Sequence, residues 1–297
     1  MLDTIFIGLS VGSVLLLVAL GLAITYGAMG VINMAHGEMV MLGAYTTVLA
    51  SIYLGIGLLG AIPIAFMVTA LVGYAIERLI VSRLYGRLLD TLLATWGVAI
   101  LLQQAVRLSL GLAFFGITIA GLGTGLQNVR VPVYLSGVIG IGGEQVSLYR
   151  AFIILVTILL TLLTWFIMYR TPIGAQVRAI MRNPDMAAAC GIDVKRVNAL
   201  TFAYGSGLAG VAGVMMSGFK TVFPDMGTPM VVDGFLVVVT GGVGSLMGTV
   251  LSAGLLGQIN GLTASVSNDI IARAVIFAVV VAIIIWKPSG LFSYKGR

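Results

Sequence analysis

Charge is what this chain lacks most. Only 9% of its 297 residues are Asp, Glu, Lys or Arg, against 60% hydrophobic residues, where soluble domains carry about 25% charged residues. With a mean hydropathy of +1.14, there is far more apolar surface than one soluble core can hide, so the chain reads as a membrane protein. It has one cysteine, Cys190, which excludes an internal disulfide and reads as a small buried residue. It has one histidine, His36. A metal site needs a His pair or a Cys cluster, and acid–base chemistry needs more than one imidazole, so neither metal binding nor enzymatic catalysis is expected. No G-x-x-x-x-G-K-[ST] phosphate loop is present, so this chain is expected to bind no ATP and no other cofactor. The opening residues, MLDT, offer no basic n-region or cleavage site, so the first apolar stretch reads as a retained helix.

What is present is a series of runs near the ~20 residues that a helix needs to cross the hydrocarbon. They fall near 4–27, 39–59, 61–82, 91–112, 149–169, 198–219 and 270–287, with a glycine-broken region at 229–260. The expected fold is an all-α polytopic membrane protein of about 8–9 crossings, including a Gly-broken pair of short helices, as a single transmembrane domain over 1–297. TGGVGSLMG at 240–248 supplies the bend, with Gly241, Gly242 and Gly244 as its hinge, because glycine tolerates the backbone angles required.

Eleven of the sixteen basic residues lie in three clusters: Arg78, Arg83 and Arg87; Arg170, Arg178, Arg182, Lys195 and Arg196; Lys287, Lys295 and Arg297. The positive-inside rule puts these in the cytoplasm. The N-terminus is then outside, the C-terminus inside, and 113–148 an extracytoplasmic loop. In that loop, alternation around Val129, Val131 and Val133 with Gly142-Gly143 beyond suggests a small hairpin.

The cytoplasmic stretch 171–196 reads as helix, break, helix. Ile173, Val177, Ile180 and Met181 recur at helical spacing while Arg178 and Arg182 share another face. Asn183 suits a cap, Pro184 the first helical position and Gly191 a stop. Its apolar face needs a cover, supplied by a partner or a lipid surface.

Several separated stretches carry a resemblance: LGLAITYGAMGVINMAHGEMVMLGAYTT (20–47), LLATWGVAILLQQAVR (92–107), MAAACGIDVKRVNALTFAYGSGLAGVAGV (186–214) and VVDGFLVVVTGGVGSLMGT (231–249). Nearly end to end, the chain resembles the membrane permease subunits of ABC importers for branched-chain amino acids and urea. VINMAHGEM, LLATWGV, TFAYGSGLAG and VVDGFLVVV look most like the urea permease, whereas ACGIDVKRVNALTF reads equally well as the branched-chain type. The resemblance implies a permease in the bacterial cytoplasmic (inner) membrane for urea or short amides, the alternative being branched-chain amino acids. It also implies a second, related permease chain, two cytoplasmic ATPases that use ATP, and a periplasmic solute-binding protein. Segment 171–196 is similar to the coupling loop of such permeases, which makes Gln176, Arg178, Arg182, Asn183, Pro184 and Asp185 candidates for ATPase contact. The remote alternative is a free-standing channel or ion-coupled secondary transporter, disfavoured by the scarcity of intramembrane acids and bases for an ion relay.

Glu38 is the only charged residue between Asp3 and Glu77, and a charge kept at depth costs roughly 2.5–3.5 kcal/mol on insertion scales. Positions two apart point about 200° from each other on a helix, so His36 and Glu38 do not pair within one. One reading of NMAHGE is a helix start, with Asn33 as cap, a break at Gly37 and Glu38 complementing the helix dipole. The functional reading is a broken helix that exposes polar groups to a solute path. Its candidate lining is Asn33, His36, Glu38, Gln103, Gln104 and Asp233. The glycines at 205, 207, 210 and 213 are read as helix-packing positions.

Overall fold

The computed structural model describes residues 2–108, 125–141 and 144–292. Eleven α-helices are found among them: α1 (Leu2–Met29), α2 (His36–Tyr53), α3 (Leu58–Leu79), α4 (Leu88–Arg107), α5 (Leu148–Arg170), α6 (Pro172–Arg182), α7 (Pro184–Ala189), α8 (Val194–Ser217), α9 (Gly227–Gly241), α10 (Leu246–Val266) and α11 (Asp269–Trp286). The mostly helical, membrane-spanning fold expected from the apolar runs is the fold observed. Five helices, α1, α3, α4, α5 and α8, are each long and apolar enough to cross a membrane, α3 together with the turn after it, and α9–α10 form a pair bent by 119°.

The centre of the bundle is α8. Beyond its basic first turn it is hydrophobic or small on every side, and Phe202, Leu208, Ala209, Val211, Ala212, Val214 and Met215 are all essentially inaccessible, as a helix segment apolar all round must be. Its glycines let neighbouring backbones close in. A Cβ at Gly213 would strike the carbonyl oxygen of Val40 on α2, and one at Gly210 would meet the side chain of Thr69 on α3. Such small-residue contacts replace the hydrophobic driving force that lipid does not supply. A second seam joins α1 to α10, where Gly8 and Gly12 lie against Gly257 and Ala253, and Gly261 lies against Gly8; the ascending order on one helix is descending on the other, so the two run antiparallel.

These contacts sort the helix ends between two faces. At one face Gly27 abuts Met181 and Gly244, and Gly290 abuts Gly242. The foot of α1, the α6 helix, the α9–α10 bend and the end of α11 therefore lie together. At the other, Arg107 at the end of α4 is paired with Asp225, and Gln127 bridges to Val222.

The bend is made by Gly242 (φ +98°) and Gly244 (φ +77°), both in the left-handed region that favours glycine, followed by Ser245, whose hydroxyl accepts from Gly248 N at 3.0 Å. Of the other expected hinge glycines, Gly37 and Gly241 lie inside helices and serve close approach instead, to Gly227 and Gly248. The expected glycine-broken pair is present, with α9 short at 15 residues and α10 longer, at 21 residues, about 32 Å at 1.5 Å per residue, lying beside α1.

In the loop before α5, the hairpin pairs Val138–Ile141 with Glu144–Ser147, while Val133–Leu135 is a turn of 3₁₀ helix; the ladder thus lies C-terminal to the expected Val129–Val133 alternation. Gly142-Gly143 and the stretch 109–124 lie outside the described residues. Cys190 is exposed, contrary to expectation, because it is the C-cap of α7, a six-residue helix with only one face on the bundle.

Candidate translocation site

The chain leaves α1 at Gly30, whose φ is +63°, and runs without regular structure until α2 begins at His36. The irregular backbone is satisfied locally. Ala35 N donates to Asn33 Oδ1 (3.0 Å), and Met34 N donates to Thr95 Oγ1 on α4 (3.1 Å). Asn33 thus shapes the turn ahead of α2. The N-cap residue is Ala35, with no side-chain cap bond. Non-helical backbone at membrane depth is tolerated where it is buried in protein or lines a cavity.

His36 is fully buried and turns toward α1, its Nε2 3.1 Å from the Val18 carbonyl oxygen. A carbonyl can only accept, so Nε2 carries the proton; Nδ1 has no hydrogen-bond partner. Glu38 points elsewhere, so the two do not pair.

Glu38 is 1% exposed. Its Oε1 accepts from Gln103 Nε2 of α4 (2.9 Å) and from Thr228 Oγ1 of α9 (3.3 Å), and Gln103 Nε2 also donates to Thr228 Oγ1 (3.0 Å). Glu38 lies in the first turn of α2 and Thr228 in the first turn of α9, and Gly37 packs on Gly227 without room for a Cβ. Two helix N-termini therefore converge on one buried carboxylate, the arrangement that helix dipoles favour. Just beyond, Arg107 Nη2 donates to both carboxylate oxygens of Asp225, 2.5 Å to each, an ion pair with side chains 32% and 54% exposed. The cluster is buried at Glu38 and open at Thr228, Asp225 and Arg107.

The structure brings together Glu38 and Gln103 from the expected set. Gln104, one residue on, is exposed on the outer side of α4. Asp233 belongs to a separate contact, an ion pair with Arg273 of α11 at 2.7 Å. Thr228, Asp225 and Arg107 were not anticipated. The one available signal was their shared height: Arg107 ends an apolar run and Asp225 precedes one.

At the opposite face, Glu77 is fully buried and accepts from the Tyr85 hydroxyl, which also reaches Met29 Sδ (3.7 Å). Burial and the adjacent carboxylate push the Tyr85 phenol above its ordinary pKa. This contact ties the α3–α4 turn to the foot of α1.

The coupling candidates divide. Thr171 and Asn183 cap α6 and α7, accepting from Gly174 N (3.2 Å) and Met186 N (3.0 Å), and Pro172 and Pro184 occupy first positions. The apolar face of this segment is covered largely by the chain itself, since Val177, Ile180 and Ala187 pack with Ile24, Ala28 and Met168. What stays open is Ile173 (51% exposed) and Met186 (62%), with Arg182, Asn183, Pro184 and Asp185. Gln176 and Arg178 are half-buried, and the Arg178 guanidinium folds back over the Tyr169 ring, 5.3 Å from its centroid.

Comparison with known proteins is decisive for the family. Residues 4–284 match the family described as "Branched-chain amino acid transport system / permease component". The chain belongs to this permease family. It is 31% identical over 302 residues to the high-affinity branched-chain amino acid transport system permease protein BraD of Pseudomonas aeruginosa, covering 96% of this chain and 94% of BraD. It is also 31% identical over 312 residues to LivH of Salmonella typhimurium, covering 98% and 95%. To LivM of the same organism it is 25% identical, over 93% of this chain and 67% of LivM. No solved structure matches. The chain is a multi-pass membrane permease subunit of an ABC-type importer and not an enzyme, as those relatives are permease subunits.

Proposed function

We propose that this permease carries branched-chain amino acids. The observation that carries the reading is the near full-length likeness to BraD and LivH, both named as branched-chain amino acid permeases. The urea reading rested on the wording of four motifs and gains no support from these relatives. The polar cluster suits a zwitterion, since Arg107 and Asp225 present both signs at its open end and Glu38 a carboxylate below. A path lined by fixed hydrogen-bonding groups at a helix break follows the pattern of transporters generally.

The proposed assembly pairs this chain with a second, related permease, two ATPases and a periplasmic binding protein, in the bacterial inner membrane. The basic clusters, on the face shared by α6 and the end of α11, would be cytoplasmic and the N-terminus outside. The uptake test uses cells carrying the whole importer, with and without this chain, and compares radiolabelled leucine with urea. Chain-dependent leucine uptake without urea uptake is expected; the reverse would overturn the substrate assignment and restore urea.

Coupling is proposed to run through the exposed end of α6–α7. Arg182→Glu combined with Asp185→Arg is expected to leave the ATPase turning over while leucine uptake falls at least fivefold. Both rates are read in proteoliposomes, and unchanged uptake would remove this surface from coupling. Arg178, turned inward, is not part of that surface.

A further inference from the structure

Arg178 is half-buried at the rim of the bundle, and its Nη1 is buried with no hydrogen-bond partner. Its one ring partner is Tyr169, and among the described residues no carboxylate pairs with it. A buried guanidinium nitrogen left unpaired is uncommon and calls for an acceptor. Arg178 lines a small open cleft, about 60 Å³, between α1, α5, α6 and the α9–α10 bend, whose other walls are mostly apolar: Ile24, Met168, Met181 and Leu246 among them. The cleft therefore offers a cation at one side and hydrocarbon at the other.

Its surroundings place it at a membrane boundary. Trp165 and Tyr169 are exposed beside it (43% and 50%), and the Arg170 guanidinium lies 5.8 Å from the Trp165 ring. Aromatic and basic side chains gather at the headgroup level. From there the outer face of α5 is exposed and apolar through Phe166, Leu162, Leu159 and Leu155, a surface on which an acyl chain can lie.

We propose that this cleft binds the phosphate headgroup of an anionic phospholipid, with Arg178 as its ligand and the α5 face as the seat of a tail. Basic pockets between transmembrane helices on the cytoplasmic side are suited to acidic headgroups. Because the cleft is walled by α6 and by the α9–α10 bend, lipid occupancy would brace the coupling segment against the bundle. The inference rests on the orientation proposed above only in naming the cytoplasmic leaflet, and a binding assay on the chain tests it without reference to transport.

The full-length chain, purified in detergent and delipidated, is titrated in native mass spectrometry with dioleoyl phosphatidylglycerol, dioleoyl phosphatidylcholine and sodium phosphate. The wild type should bind phosphatidylglycerol about fivefold more tightly than phosphatidylcholine, the ratio for roughly 1 kcal/mol per basic side chain near an anionic surface. Arg178→Gln should abolish that preference, and Leu246→Trp, which keeps the guanidinium and fills the cleft, should do so independently if Arg178→Gln does not survive purification. Equal affinity for the two lipids in the wild type, or an intact preference in either variant, would overturn the proposal. So would displacement of the lipid by millimolar phosphate, which would make the ligand a soluble anion, or a loss of ATPase binding by Arg178→Gln with lipid preference unchanged, which would make it a protein carboxylate.

Discussion

Glu38→Ala is expected to reduce chain-dependent uptake at least tenfold while the protein still reaches the membrane in normal amount. The two effects separate because of how the carboxylate is held. Gln103 and Thr228 bond to each other at 3.0 Å as well as to Glu38, so neither is left orphaned when it goes. Glu38 Oε2 has no hydrogen-bond partner, and removing it relieves part of the cost of burying a carboxylate. The net stability change should be within about 2 kcal/mol. The transport cost is of a different kind, since the proposed path would lose its only buried acid at the meeting of α2 and α9. Gln104→Ala, on the exposed side of α4, is the matched control and should transport normally. Immunoblots of membranes alongside leucine uptake read both quantities. Full uptake by Glu38→Ala would leave Glu38 as a helix-start residue and nothing more.

The second large effect concerns assembly. Gly213→Val should lower the amount of folded permease severalfold or abolish it. The new Cβ would collide with the Val40 carbonyl and crowd Ala44 N, both backbone atoms of α2, so no flexible side chain can yield. Overpacking of well-packed interiors costs typically 1–3 kcal/mol, more where backbone must move. Gly97→Ala and Gly254→Ala, where an added Cβ meets nothing within 4 Å, should be neutral. The check is recovery of monodisperse protein after extraction in mild detergent. Normal recovery of Gly213→Val would contradict the α2–α8 contact.

Composition and hydropathy make the membrane fold legible, because an apolar run of about 20 residues in a chain with so little charge has few places to go but the bilayer. The cap of α7 was legible for a local reason, since Asn183 followed by Pro184 organises its own next turn, whereas Asn33 was expected to cap α2 and Ala35 holds that position. The glycine positions of α8 were readable as packing positions. Which glycines bend the chain was not: Gly37, Gly241, Gly242 and Gly244 look alike in sequence, and only φ angles and the neighbours of each separate the breaks from the close approaches. The inward turn of Arg178 was hidden as well, since helical spacing assigns it to a polar face while its long side chain bends back onto Tyr169.

By itself the sequence determined that this chain is a mostly helical membrane protein, that runs near 4–27, 61–82, 91–112, 149–169 and 198–219 are helices long and apolar enough to cross, and where its basic residues gather, since all of these follow from local runs and counts; the runs at 39–59 and 270–287 form helices outside that set. The tertiary structure decided which polar residues form one site. Glu38, Gln103 and Thr228 are 65 and 125 residues apart in turn, and nothing local to any of them specifies the other two. They meet because glycines at 37 and 227 let two helix starts touch, a contact set by the packing of the whole bundle.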